Sequence, residues 1–279
     1  MLLIVCSEED VSSCNMRNYI FSKKEWTRID DVQSEDCLSV HVCTDMVLIS
    51  IPKIHIFTDD VDRIAEKITG LKFSNTVFLS RHKSASKIPT LTVHPIGNFG
   101  KADYGGKESS LVPSTPSLMT QVLRNMNRFS IDIPFRVSYE VTHHGPWLNT
   151  PCMFLEIGSD ESQWSNLDAA RVLSESLLQA EIQDHPCTIG IGGGHYAPQF
   201  TEISLSKKIS FGHMVPNYAL SGLDEEETIK RISMASDASN THLAYIHKKS
   251  MKRSEASRLQ SLMESEGLEF ISSKDLDPL

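Results

Sequence analysis

The chain has 279 residues, 40% hydrophobic and 23% charged, enough for a sizeable core in one large α/β domain or two small ones and without a low-complexity tract. A formal net charge of -9 excludes a surface that grips nucleic acid everywhere, though not a local basic patch. Six cysteines (Cys6, Cys14, Cys37, Cys43, Cys152, Cys187) with no C-x-x-C pair exclude a dense disulfide framework and read as a reduced, cytoplasmic protein.

Leu2–Cys6 reads as a first buried strand. It is too short for a signal peptide and lacks a basic lead, and no apolar run approaches the roughly 20 residues of a membrane span. Ser7–Asp10 caps a helix toward Phe21, and Val40–Ile51, broken at Thr44–Asp45, reads as a hairpin or two short strands. Thr58-Asp59-Asp60 caps an amphipathic helix with Val61, Ile64, Ala65 and Ile68 on one face, ended by Gly70. Thr76–Leu79 is the next strand. From Arg81 to Pro116 the pattern is mostly loop, with Lys83, Lys87, Lys101 and Lys107 among Ser, Gly and Pro; a loop that long is functional or disordered. Thr115-Pro116 starts a helix to about Arg128. Phe135–Thr142 alternates as a strand, Cys152–Ile157 is another, and Asp160 with Gln163 starts a long helix to about Ala180. There follow strands at Cys187–Ile191, Ile209–Met214 and His242–Ile246, and helices at Asp224–Ala235 and Met251–Glu266. This alternation predicts a mixed, largely parallel sheet with helices on both faces, in a single domain spanning 1–279.

Several strands end by handing a histidine to a glycine turn. Leu91–Val93 leads into His94-Pro-Ile-Gly-Asn-Phe-Gly100, and the 135–142 strand into His143-His144-Gly145-Pro146. Cys187–Ile191 leads through Gly192-Gly193-Gly194 to His195; His82 follows Thr76–Leu79, and His213 sits in a weaker copy. Ligands of open α/β sheets lie beyond the carboxyl ends of strands, so these imidazoles are expected in one cleft. Glu140 precedes the histidine pair, and Glu156 closes its own strand. Imidazoles and carboxylates without thiolates suit Zn²⁺ in a catalytic site that keeps one position open. Neither H-E-x-x-H nor a G-x-S-x-G elbow is present. His41, His55, His185, His242 and His247 lack the glycine context and are assigned to structure. The three glycines either present N–H groups to an anion or simply turn His195 back toward the sheet. Phe99 and Tyr104 fit base stacking or buried loop anchors equally; Trp147 and Trp164 read as core.

The set Ser80-Arg81-His82-Lys83-Ser84, His94–Gly100, Glu140–Pro146, Gly190–Pro198 and Gly212–Tyr218, with Leu155–Ser159 followed by Trp164, resembles the archaeal and plant type of D-aminoacyl-tRNA deacylase over nearly the whole chain. The resemblance implies a zinc-dependent hydrolase that cleaves the ester between a D-amino acid and the terminal ribose of tRNA. It also implies a single phosphorylase/hydrolase-like α/β domain with some likeness to peptidyl-tRNA hydrolase. Its partner is the acceptor end of D-aminoacyl-tRNA, with no membrane and no DNA involved, and the expected state is a monomer.

The residue roles come from chemistry. His94, His143, His144 and His195 form the pool of zinc ligands, with Glu140 as ligand or general base. Backbone N–H groups at Gly97 or Gly193 hold the oxyanion. His82, Lys83 and Lys101 face the terminal ribose and phosphate, and His82 or Glu140 is the base in a zinc-free variant of the mechanism. Two other classes use the same residues: a zinc peptidase or amidase, and a non-catalytic RNA-binding module.

Overall fold

A strand made of a near-continuous apolar run has no polar face to give to water and must be covered on both sides. The computed structural model, which describes residues 1–30, 32 and 34–279, meets this demand with two sheets. The first half of the chain supplies β1 (Leu2–Ser7), β2 (Thr27–Ile29), β3 (Ser39–Val42), β4 (Met46–Ile51), β5 (Asn75–Arg81) and β6 (Thr90–His94). A small pair, β7 (Gly97–Asn98) and β8 (Ser110–Leu111), precedes β9 (Arg136–Tyr139) and β10 (Cys152–Gly158). The second half supplies β11 (Cys187–Ile191), β12 (Ser210–Val215), β13 (Leu243–Ile246) and β14 (Glu269–Phe270).

The larger sheet has the order β2-β3-β4-β1-β5-β10-β6-β9. Its centre, β4-β1-β5-β10, is parallel; β6 runs antiparallel to β10, and β9 lies parallel to β6. The second sheet, β12-β11-β13-β14, is parallel throughout. Mixed but largely parallel, with helices on its faces, is the expected class.

Side chains alternate across each strand, so one strand feeds two cores. Ile4, Cys6, Val77, Leu79, Met153 and Leu155 join a cluster with Met16 and Ile20 of α1 (Val11–Phe21), Val122 of α3 (Pro116–Phe129) and Leu173 of α5 (Leu167–Leu178). Phe211 and Met214 of β12 belong to the same cluster, which joins the two sheets. Leu3, Val5, Phe78 and Phe154 face the other way, toward Val61 and Ala65 of α2 (Val61–Thr69). Gly70 closes α2 at φ +70, where its N–H reaches the Glu66 carbonyl at 2.8 Å. A third cluster packs β11 and β13 against α8 (Glu225–Ala238) and α9 (Arg253–Ser265).

Three expectations are corrected. The stretch 81–116, expected as mostly loop around the Leu91–Val93 run, carries the pair β7–β8 besides β6, because Gly97 and Asn98 find partners in Leu111 and Ser110. Residues 160–180 form two helices, α4 (Glu161–Trp164) and α5, since the Asn166 side chain caps the Ala169 N–H at 2.9 Å and starts the second afresh. The 135–142 strand stops at Tyr139, and Glu140 bridges instead to Tyr196. Two short helices have no counterpart among the predicted elements, α6 (Pro198–Ser206) and α7 (Asn217–Leu220). No helix among the described residues is long and apolar enough to cross a membrane.

Candidate active site

The period of two selects the site. Leu79, Val93 and Leu155 point into the helix-covered core. The intervening residues Phe78 and Ser80 of β5, Thr92 and His94 of β6, and Phe154 and Glu156 of β10 therefore point to the opposite face. Register completes the arrangement, with Phe154 opposite His94 and Glu156 beside both Ser80 and Thr92. His82, one residue past β5, falls on the same face.

Backbone bonds lace the other histidines onto this platform. The Glu140 N–H donates to Val93 O at 3.1 Å, Val141 N–H to His195 O at 3.0 Å, and Gly97 N–H to His144 O at 2.8 Å. His144 sits at φ +47, a left-handed conformation that a side chain with a Cβ adopts only under surrounding constraint.

The resulting cluster is dense. Glu140 Oε2 lies 2.9 Å from His195 Nε2, 3.3 Å from His82 Nδ1 and 3.6 Å from His143 Nε2. Glu156 Oε2 lies 3.4 Å from His82 Nδ1 and 3.5 Å from His94 Nε2. Three imidazoles turn Nδ1 to a main-chain carbonyl: His94 to Pro95, His143 to Val141 and His144 to Gly145, at 3.1, 2.7 and 2.6 Å. Donation from Nδ1 leaves the Nε2 of His143 and His144, both lowered and neutral, as a bare lone pair, the arrangement a metal ligand needs, whereas Glu156 raises the pKa of His94 against its burial.

Charges follow from the packing. Burial works against a charged His82, yet Glu156 and Glu140 outweigh it and hold the imidazole up to about 9. Burial opposes ionisation of Glu156, but His82 and His94 hold its carboxyl well below the usual range. Glu140 is lowered too, its desolvation outweighed by His195 and His82. Burial and the neighbouring His94 push His144 down to about 4 and His143 well below its ordinary value.

Whether these residues suit a metal ion is tested by their unmet polar atoms. His94 Nε2, both Glu140 oxygens and Glu156 Oε2 are buried without an aligned hydrogen bond. Each such atom costs about 1–3 kcal/mol, more for a charged group. Among the described residues three overlapping sets bring donor atoms within 4.8 Å of one another: His94–His143–His144, His82–Glu140–His195 and His94–Glu140–Glu156. A nitrogen-and-oxygen set beside two ionised carboxylates fits a divalent cation of borderline softness.

A cavity of about 470 Å³ opens over the cluster, lined among others by His55, Arg81, His82, Lys83, Tyr104 and Tyr218. Lys83 is at its mouth, whereas Lys101 lies outside it. Two sequence assignments fail at the backbone. The Gly97 N–H is spent on His144, and the Gly193 N–H is taken by Ser250 Oγ at 3.0 Å and Asn217 Oδ1 at 3.3 Å, so neither meets an oxyanion. The glycine turn serves instead to carry His195. His213 is no part of the cleft; buried, it bonds Thr142 Oγ1 and the Val112 carbonyl. His55, assigned to structure by its context, lines the cavity, while Glu156, noted only as a strand end, stands at the centre. The alternation of β10 carries the signal that finds it.

A largely parallel α/β scaffold with carboxylates, imidazoles and candidate cation ligands around an open cleft has the groups that an enzyme activating water needs. The comparisons then say which kind. Residues 69–271 match the family model for D-aminoacyl-tRNA deacylase. A D-aminoacyl-tRNA deacylase of Methanosarcina mazei is 34% identical over 99% of this chain and 93% of its own. One of Thermococcus kodakarensis is 35% identical over 97% and 99%. A crystal structure titled a conserved protein of unknown function superposes with a TM-score of 0.87, at 31% identity over 99% of this chain and 96% of that one. The chain belongs to the D-aminoacyl-tRNA deacylase family, and with it to the hydrolases of ester bonds.

Proposed function

We propose that the chain hydrolyses the ester of D-aminoacyl-tRNA, releasing the D-amino acid and reusable tRNA, with Zn²⁺ as its resident ion. The observation that carries the zinc reading is the set His94, His143 and His144, whose Nδ1 atoms are tied to carbonyls and whose donor atoms lie within 4.8 Å of one another, with Glu156 3.5 Å from His94 Nε2 and Glu140 3.6 Å from His143 Nε2. His94, His143 and His144 would hold the ion. His195, first grouped with them, sits instead with His82 and Glu140, a neighbouring set that the carboxylates connect to the first. When bound, Zn²⁺ supplies a Lewis acid and brings the ionisation of water toward neutral pH.

The chain's own residues do the rest. Glu140, held ionised by His195 and His82, orients the attacking water and takes its proton. His82, charged at neutral pH between two carboxylates, gives a proton to the departing ribose oxygen; its raised pKa makes it an acid here rather than the base first assigned. Lys83 faces the nucleotide phosphate at the mouth.

The test is hydrolysis of D-tyrosyl-tRNA beside L-tyrosyl-tRNA by the enzyme as purified, after chelation and after zinc is restored. Loss of the D-ester alone, abolished by chelation and recovered with zinc, is the expected result. D-specific cleavage that survives complete metal removal would retain the function and dismiss the zinc. Cleavage of peptides with no tRNA requirement would move the assignment to an amidase.

A further inference from the structure

Aromatic side chains in this protein avoid water almost everywhere, with three exceptions among the described residues. Phe57 is 62% exposed, Tyr104 68% and Tyr218 57%. Tyr104 and Tyr218 both line the cavity over the histidine cluster. Phe57 lies next to the same rim, since a Cβ added to Gly105 would come 3.4 Å from its ring. Exposing two tyrosines at one cleft loses the burial that each gains elsewhere, which calls for an occupant.

The backbone at both tyrosines is tied to the segments that carry the histidines. Tyr104 O accepts the Gly145 N–H at 3.0 Å, directly after His144. Gly105, at φ +79, packs so closely that a Cβ there would fall 1.8 Å from the Ile56 carbonyl oxygen. The Asn98 Nδ2 amide donates to Gly105 O and Lys107 O at 2.9 and 3.2 Å. Tyr218 follows Asn217, whose N–H donates to Gly193 O at 3.0 Å in the turn leading to His195. An exposed ring on a backbone this well tied is pre-organised to stack, with little entropy left to lose on binding.

We propose that Tyr104 and Tyr218 form a stacking subsite for the purine base of the substrate's terminal nucleotide. The proposal rests on the deacylase reading and names how that site holds its substrate. An ester on the terminal ribose places the base one sugar ring away from the reacting carbonyl, at the rim and not in the cluster. Arg81 and Lys83, lining the same cavity, offer charge to the phosphate of that nucleotide. Every tRNA ends in the same adenosine, so one stacking subsite at the rim serves all D-aminoacyl-tRNAs alike, and a purine offers the larger π-face to a tyrosine ring.

The experiment compares Tyr104→Ala, Tyr218→Ala and the double variant with Tyr104→Phe and Tyr218→Phe, using D-tyrosyl-tRNA and D-alanyl-tRNA. The alanine variants are expected to raise KM by about 5- to 100-fold with kcat little changed, and phenylalanine to restore it, because the ring and not the hydroxyl binds. In the unaltered enzyme AMP should inhibit competitively more strongly than ribose 5-phosphate, and the double alanine variant should lose that difference. Unchanged KM in an enzyme that still cleaves, or equal inhibition by the two probes, would overturn the subsite. A KM effect confined to D-tyrosyl-tRNA would give the rings to the amino-acid side chain and overturn it also. Failure of the unaltered enzyme on every D-aminoacyl-tRNA would instead sink the deacylase reading itself, a distinct result.

Discussion

His55 packs its ring on Phe154, with centroids 5.1 Å apart and planes 9° from parallel, and leaves both nitrogens without a protein partner. Burial pushes its pKa down to about 3, so the ring is neutral. A neutral imidazole stacked like a phenyl group, with two unmet polar atoms, costs stability unless something in the cavity bonds to it. His55→Phe keeps the stack and removes both orphans. Its urea midpoint is expected to rise, at unchanged m, by an amount equivalent to about 1–3 kcal/mol. A lower midpoint would show that the nitrogens have partners in solution. His55 also marks what sequence reading misses: with no glycine beside it and a 3₁₀ turn around it, nothing in the pattern separates it from core. His94 was legible from the glycine turn that follows it, whereas Glu156 read only as a strand end, although a lone carboxylate in the apolar run of β10 marks the face that holds the chemistry.

At the scale of elements, the two sheets meet around His213. The imidazole of this β12 residue shares a hydrogen bond with Thr142 Oγ1 at 3.0 Å and approaches the Val112 carbonyl at 2.9 Å, while Thr142 Oγ1 also accepts the Met214 N–H at 3.0 Å. The tie fixes the segment that carries His143 and His144. Burial lowers the pKa of His213 to about 4, below the 6.5 of an unfolded histidine. The sign follows: its contribution is fully present above about pH 6.5 and is lost as pH falls through 4, a difference of about 3 kcal/mol. His213→Gln should therefore weaken the protein at pH 7.5 yet flatten the loss of unfolding free energy between pH 6.5 and 4 relative to the unaltered chain. Parallel curves for the two proteins would refute the assignment. Most elements were readable from local pattern: β1, α2, α3, β10 and β11 stand where apolar period, Pro116 and Gly70 put them, although neither Asp60 nor Thr115 caps its helix through a side-chain bond. What was not readable depends on partners far along the chain. Glu140 leaves its strand because Tyr196 pairs with it, and β7–β8 exist only because Gly97 and Leu111 meet.

At the scale of the whole molecule, a net charge of -9 faces a polyanionic substrate. At physiological salt such long-range repulsion is screened beyond about 8 Å, so binding depends on the few cations that touch the nucleic acid. Arg81 and Lys83 line the cavity beside His82, whose charge is matched by Glu140 and Glu156. Arg81 is already engaged, lying 4.7 Å above the Trp164 ring and reaching the Glu9 carbonyl, which leaves exposed Lys83 as the stronger phosphate partner. Each contact to a single-stranded end contributes about -0.7 to the slope of log affinity against log salt. One or two contacts predict a slope between about -0.7 and -1.4 for log kcat/KM. Lys83→Ala should make that slope shallower by about 0.7 and weaken every D-aminoacyl-tRNA alike. A measured slope steeper than about -4 would instead require an extended basic surface along the acceptor arm. A slope in the shallow range, together with the proposed stacking at Tyr104 and Tyr218, would describe an enzyme that grips the end of its substrate and leaves the body of the tRNA alone.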